Sequence, residues 1–152
     1  MGIAHALHVL AVVLWVGGMF FAHMILRPAA VSQLEPPLRL NLWRHVFNRF
    51  FPLVWAIIVL VPVTGILMMK PFINAGHFPV YVHIMSLLGV IMIMIFLHVF
   101  FAPFRRLKQH LDESDIPAAA KQLNQIRFLV GTNTVIGFLT IIIATAGKYY
   151  VS

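Results

Sequence analysis

Four of the eight histidines fall into two pairs with the same spacing. His8 and His23 lie 15 residues apart in one apolar stretch, and His83 and His98 lie 15 residues apart in another. Imidazole is costly in hydrocarbon unless its ring nitrogens have partners, so a histidine within an apolar segment indicates a functional site. Two imidazoles at one level can hold a haem iron from both sides, and an imidazole can also bind a single metal ion. The spacing therefore predicts haem or metal chemistry.

These histidines belong to two of four apolar runs, each close to the roughly 20 residues that a helix needs to cross a bilayer. The runs cover residues 3–26, 50–69, 79–103 and 128–147. Hydrophobic residues make up 61% of the chain, and the mean hydropathy is +0.94, values far above those of a soluble domain. We predict an all-α fold, in which residues 1–152 form a single four-helix transmembrane bundle.

The connections between the spans also have helical patterns. In residues 34–51, apolar side chains recur at helical spacing with arginines between them, which predicts a short interfacial helix in the first cytoplasmic connection. Near the end of the third connection, Asp115 stands where an N-cap would and Pro117 lies in the first turn. The fourth helix is therefore expected to begin well before its membrane-spanning part.

The basic residues are unevenly distributed along the chain. Nine of the 11 border the first and third connections, whereas Lys70 and Lys148 lie elsewhere. The positive-inside rule then places these two connections in the cytoplasm and both termini in the periplasm. The basic residues that fix the orientation in the lipid bilayer thus account for the net charge of +7. We therefore expect no nucleic-acid partner.

The ligand types available inside the membrane are few. The sequence contains no cysteine, which excludes thiolate metal sites, cysteine-ligated iron–sulfur clusters and covalent c-type haem. All four acidic residues fall in the cytoplasmic connections: Glu35, Asp112, Glu113 and Asp115. Histidine and methionine are therefore the ligands left for an intramembrane site.

The topology gives the repeated spacing a geometric meaning. Because spans one and three run in the same direction, His8 and His83 should lie at one depth near the outer face, and His23 and His98 near the inner face. The two levels are about 22 Å apart, with a rotation of about 60° around each helix. We predict a b-type haem protein for redox chemistry or electron transfer, with a bis-histidine haem between spans one and three at the outer level. A second haem at the inner level would complete a transmembrane electron path.

A haem near the cytoplasmic face would need cationic partners for its propionates, and the candidates are Arg27, Arg44, Arg49 and Arg105. An electron path also requires a quinone or a redox protein as its partner. A haem-dependent oxidoreductase activity and a homo-oligomeric state both remain open at this point.

Two alternatives remain beside the haem hypothesis. Copper transport is one, because Cu(I) favours thioether and imidazole ligands. Met85 follows His83 by two residues, and Met68 and Met69 end span two near the same outer face. The other alternative is a structural subunit that binds no cofactor and packs against a larger membrane complex, its histidines being interfacial.

Three stretches resemble a known family. HALHVLAVVLWVGGMFF, VPVTGILMM and LHVFFAPFRRL resemble the CopD-type membrane domain of bacterial copper-resistance proteins, which implies copper uptake across the inner membrane. The first helix is also similar to that of HemJ-type protoporphyrinogen oxidases, which implies haem b. Of the histidines, the resemblance implies a functional role only for His8, in the stretch LHVLAVVLWVGG. The pairing of His8 with His83 rests on spacing and topology alone.

Overall fold

In the computed structural model, which describes residues 2–150, all regular structure in that range is helical. Helix α1 (Gly2–Phe21) passes into a single π-helical turn (Ala22–Leu26) and then into α2 (Arg27–Gln33). The remaining helices are α3 (Pro36–Ala75), α4 (Val80–Phe101), α5 (Pro103–Asp112) and α6 (Ile116–Tyr150). Four helical segments are long and apolar enough to cross a membrane: Gly2–Gln33, Pro36–Ala75, Val80–Asp112 and Ile116–Gly147. The predicted all-α, four-span fold is confirmed.

The first span and its connection are nearly continuous helix. The chain leaves the helical conformation only at Leu34 and Glu35, both of which have extended backbone. Pro36 and Pro37 follow, and a residue before a proline is driven out of the helical region by the proline ring. Pro36 therefore keeps Glu35 out of the helical region, and α3 begins at Pro36 itself.

The helix expected in the first connection forms, but it is not a separate element. It is the beginning of α3, whose 40 residues run without interruption from Pro36 to Ala75 over about 60 Å. Its buried side chains, which include Leu40, Trp43 and Phe47, face the bundle. The helix therefore packs on the protein as an extension of span two.

The third connection is a helical hairpin. Helix α5 ends at Asp112, and Ser114 takes a left-handed conformation with φ 58°. The carboxylate of Asp115 then accepts a hydrogen bond from the backbone N–H of Ala118, 3.1 Å away. This is an N-cap interaction, so the predicted start of the fourth helix at Asp115 and Pro117 is confirmed.

The spans pack as two closely associated pairs. Helix α1 packs on α3, and α4 packs on α6, while α1 and α3 also contact α6. Phenylalanine rings join α3, α4 and α5 at the end of the bundle that carries the first and third connections. There Phe51 packs edge-on against Phe96 and Phe104. Most of the apolar surface of the spans faces outward, since at most 28% of any span's most apolar 18-residue window is buried in the protein. This surface is suited to contact with lipid.

Candidate functional site

His8 is the predicted site residue with the most extensive polar contacts. Its ring is half-buried between α1 and α3. Nδ1 lies 2.9 Å from Oγ1 of Thr64 and 3.1 Å from the backbone oxygen of Val61. Cε1 lies 3.6 Å from the position that a Cβ on Gly65 would occupy. One turn of α3 thus holds one edge of the imidazole.

These contacts fix which nitrogen of His8 carries the proton. The carbonyl oxygen of Val61 can only accept a hydrogen bond. The Thr64 hydroxyl donates to the carbonyl of Leu60 at 2.7 Å, so it too acts as an acceptor toward His8. Nδ1 is therefore the protonated nitrogen, and the lone pair lies on Nε2. Metal-binding histidines usually have this arrangement, in which one ring nitrogen donates to a carbonyl or hydroxyl and the other binds the metal.

His8 begins a stripe of buried residues along α1. Ala11, Trp15 and Met19 follow it at intervals of three or four residues, so they lie on one helical face. All three are at most 4% exposed. Another interval of four leads to His23. The two predicted ligands of span one therefore mark the ends of a face that is buried in the bundle.

His23 lies in the π-helical turn and packs on span four. The Cε1 atom of its half-buried ring is 3.0 Å from the position that a Cβ on Gly131 would occupy. The ring fits there because residue 131 is glycine. Single π turns within α-helices are frequent at functional sites, because they rotate one side chain out of the regular register.

His83 and His98 have a different setting, since both side chains are exposed. The ring of His83 packs near Phe78, with 5.6 Å between the ring centroids. Within residues 2–150, no hydrogen bond, ion pair or ring contact joins His8 to His83, or His23 to His98. The structure therefore brings each histidine of span one against a neighbouring span, and the two pairings remain predictions.

The four arginines proposed for propionates also lie in different settings. Arg44 forms an ion pair with Asp112, with 2.7 Å between Nη1 and Oδ1. Arg27 is half-buried, and Arg105 is exposed. Arg49 is exposed at the edge of a cavity between the helices.

The centre of the bundle contains a polar residue that the sequence analysis did not identify. Asn133 on α6 is only 2% exposed. Its Nδ2 donates to the sulfur of Met19 at 3.7 Å and to the backbone oxygen of Met92 at 3.4 Å. Its Oδ1 is buried and has no hydrogen-bond partner among the residues that the structure describes. The signal for this site was an amide within the apolar run of span four, because polar groups inside a membrane are rare and usually functional.

Met19 and Met92 complete this central cluster. Both are 3% exposed. The methyl carbon of Met92 lies 3.3 Å from the position that a Cβ on Gly137 would occupy, one turn beyond Asn133. Thioethers suit a soft cation such as Cu(I), and both methionines contact the buried amide of Asn133, Met19 through its sulfur and Met92 through its backbone oxygen. We define Met19, Met92 and Asn133 as the central cluster. In the described part of the chain, no three His, Cys, Asp or Glu side chains gather into a metal-binding group.

Four apolar spans, with imidazole and thioether donors turned inward, define this protein as a small integral membrane protein with soft-ligand groups in its bundle. Residues 44–146, about two thirds of the chain, match the family described as Copper resistance protein D. The chain therefore belongs to the CopD family. It is a multi-pass inner-membrane protein of a family related to copper resistance.

The comparisons with individual proteins add no relative to this assignment. Neither a curated protein nor a solved structure matches the chain significantly. The expected similarity to HemJ-type proteins is not confirmed. The family match begins at residue 44, so it includes Thr64, Met92 and Asn133 and leaves His8 and His23 outside.

Proposed function

We propose that this protein binds Cu(I) inside its helical bundle and passes it across the membrane, with His8 as the ligand nearest the N-terminal end. The arrangement around His8 is the observation that carries the proposal. Thr64 and Val61 orient the ring through Nδ1, and Nε2 then presents a lone pair. Membership of the CopD family supports copper as the cargo.

The donors further along α1 suit the same ion. Cu(I) prefers thioether and imidazole ligands, whereas Mg²⁺, Ca²⁺ and Mn²⁺ prefer carboxylate and carbonyl oxygen. The central cluster lies about 16 Å along the helix axis from His8, and His23 follows Met19 by one turn. We infer that an ion moves from His8 to the central cluster and then to His23.

Methionines also lie near His8. Met68 on α3 is one turn beyond Thr64 and is half-buried, so by helical register it lies on the face that holds His8. Met85 on α4 is half-buried as well. These thioethers are the candidates for delivering a reduced copper ion to His8.

The haem hypothesis has less support from these observations. The family is related to copper resistance, and His83 and His98 are exposed. Haem binding therefore remains a prediction from sequence spacing. An absorption spectrum of the purified protein tests it directly, since bis-histidine haem b gives a reducible Soret and α-band spectrum.

The proposal is tested by measuring Cu(I) in reconstituted protein. Purified protein in liposomes is given ⁶⁴Cu under reducing conditions, and a chromophoric Cu(I) chelator measures affinity in detergent. We expect uptake above that of empty liposomes. We expect His8→Gln to weaken Cu(I) binding by at least about tenfold, a typical cost of disturbing a metal site. His45→Gln is the matched control, because His45 is exposed on α3 and its Nδ1 contacts the carbonyl of Asn41 on its own helix.

The central cluster has its own control pair. Met19→Leu preserves volume but removes a buried thioether, and we expect it to reduce the rate of ⁶⁴Cu uptake. Met24→Leu makes the same chemical change at a position that is 57% exposed, and should have no effect. Unchanged Cu(I) affinity in His8→Gln, together with unchanged uptake in Met19→Leu, would contradict the proposal. A haem spectrum lost in the His8→Gln variant would favour the haem hypothesis.

A further inference from the structure

A cavity of about 440 Å³ lies between the spans at the end of the bundle that carries the first and third connections. Its walls are almost entirely apolar or aromatic and come from all four spans. Trp15 lies at one end, and Leu26, 11 residues later on the first span, lies near the other. The residues of the first span that line the cavity therefore extend over about 16 Å of the bundle axis. None of the histidines is among the described residues that line it.

The cavity reaches the outer surface of the bundle beside Phe21 of the first span and Leu53 of the second. Two of its lining residues, Phe21 on α1 and Leu53 on α3, are 51% and 42% exposed. Exposed apolar side chains at this depth face hydrocarbon, so the opening is toward lipid. The ring of Phe50 packs directly against Gly18 and forms part of the cavity wall. A Cβ at position 18 would lie 2.7 Å from Cζ of Phe50, so the ring fits there because residue 18 is glycine.

The edge of the cavity carries one positive charge. Arg49 lines the cavity and is exposed, one residue before Phe50 in α3. Arg49 follows Arg44 by five residues, and the ion pair of Arg44 with Asp112 joins the first and third connections, so this part of α3 lies near the end of its span. The arrangement combines an apolar slot, a lateral opening to hydrocarbon and a guanidinium group at the level of the lipid headgroups.

We propose that this cavity binds one acyl chain of an anionic phospholipid, with the lipid phosphate held by Arg49. The stretch of the first span that lines the cavity is about as long as one leaflet, because half of a hydrocarbon core of about 30 Å is about 15 Å. The apolar walls suit an acyl chain, and the guanidinium group forms charge-assisted hydrogen bonds with phosphate oxygens. Met19 and Asn133 of the central cluster also line the cavity, so this site adjoins the proposed Cu(I) path. It can be measured in the absence of copper.

The three tryptophans make the proposal testable by fluorescence. Trp15 is 4% exposed and lines the cavity, whereas Trp43 is 3% exposed and does not line it. Phospholipids with brominated acyl chains quench an indole only at short range. The Trp43→Phe, Trp55→Phe double variant reports on Trp15, and the Trp15→Phe, Trp55→Phe double variant reports on Trp43. Both are reconstituted into nanodiscs containing brominated phosphatidylglycerol.

We expect Trp15 to lose most of its emission although it is buried, and Trp43 to keep nearly all of its emission. In mixtures with unbrominated phosphatidylcholine, quenching of Trp15 should show about a fivefold preference for phosphatidylglycerol, typical of one basic residue near a membrane surface. Arg49→Gln should bring this preference close to one. Arg39→Gln, on the same helix but not lining the cavity, should leave it unchanged.

Two results would overturn the assignment. If Trp15 of the Trp43→Phe, Trp55→Phe variant keeps its emission in nanodiscs that contain brominated phosphatidylglycerol, no acyl chain enters the cavity. Equal quenching by brominated phosphatidylglycerol and brominated phosphatidylcholine would show that Arg49 does not select an anionic headgroup. Neither result depends on Cu(I) transport, so failure of this proposal and failure of the copper proposal can be distinguished.

Discussion

The imidazole of His8 donates from Nδ1 to the hydroxyl oxygen of Thr64, 2.9 Å away and 56 residues later in the chain. Thr64 is only 3% exposed, and its own proton is directed to the carbonyl of Leu60. This contact joins the first span to the second and orients the ring. It also makes Thr64 a positioning residue for the proposed Cu(I) site.

Thr64→Val should weaken Cu(I) binding by about 10-fold or more, because loss of an outer-shell partner of a metal-binding histidine usually costs 10- to 100-fold in affinity. Competition with a chromophoric Cu(I) chelator measures the change. Thr64→Ser retains the hydroxyl and should restore affinity. Thr140→Val is the control, since among the described residues that hydroxyl donates to the carbonyl of Ile136 on its own helix. Equal affinities for Thr64→Val and Thr140→Val would exclude the positioning role.

Gly137→Ala should destabilise the bundle by about 1–3 kcal/mol, the usual cost of overpacking a close contact. A Cβ at this position would lie 2.7 Å from Cγ2 of Val16 and 3.3 Å from Cε of Met92. Helices α1 and α6 would have to separate. Gly17→Ala is the matched control, because a Cβ there meets nothing within 4 Å. Thermal unfolding in detergent measures both, and a Gly137→Ala variant as stable as Gly17→Ala would refute the close approach.

Asp112→Asn should lower stability by less than about 1 kcal/mol. The ion pair with Arg44 has good geometry at 2.7 Å, but the Asp112 side chain is 63% exposed, and water screens exposed pairs. The same unfolding measurement applies, at low and high salt. Glu113→Gln serves for comparison, and a much larger loss for Asp112→Asn would mean that the ion pair holds the two connections together.

A reporter enzyme fused after Ser152 should be active in the periplasm. The expectation follows from the basic residues at the first and third connections, which the positive-inside rule places in the cytoplasm. Fusions after Asp112, in the third connection, should report the cytoplasm. Activity of the two fusions on the reverse sides would invert the orientation of the bundle and the direction assigned to His8.

Much of the fold was predictable from sequence because it depends on local properties. Length and hydropathy define the four spans, since a backbone in hydrocarbon must satisfy its own hydrogen bonds within a helix. The start of α6 was equally local, because Asp115 caps the backbone N–H of Ala118, three residues away. The first connection was predicted less completely, since its pattern indicated a helix but did not show that it would be continuous with span two.

The candidate site depended on tertiary structure. The repeated 15-residue interval indicated that four histidines lie at two depths in the membrane. The rotation of each helix about its own axis, however, decides which residue each side chain contacts. That rotation is set by packing, and it turns His8 toward Thr64, His23 toward Gly131, and His83 to the outside. The sequence by itself determined that this is a four-span membrane protein in which histidine and methionine are the metal-ligating residue types left within the spans. Only the tertiary structure decided that Asn133 joins Met19 and Met92 in the centre, because contacts between residues 114 and 41 positions apart leave no periodic signal in the chain.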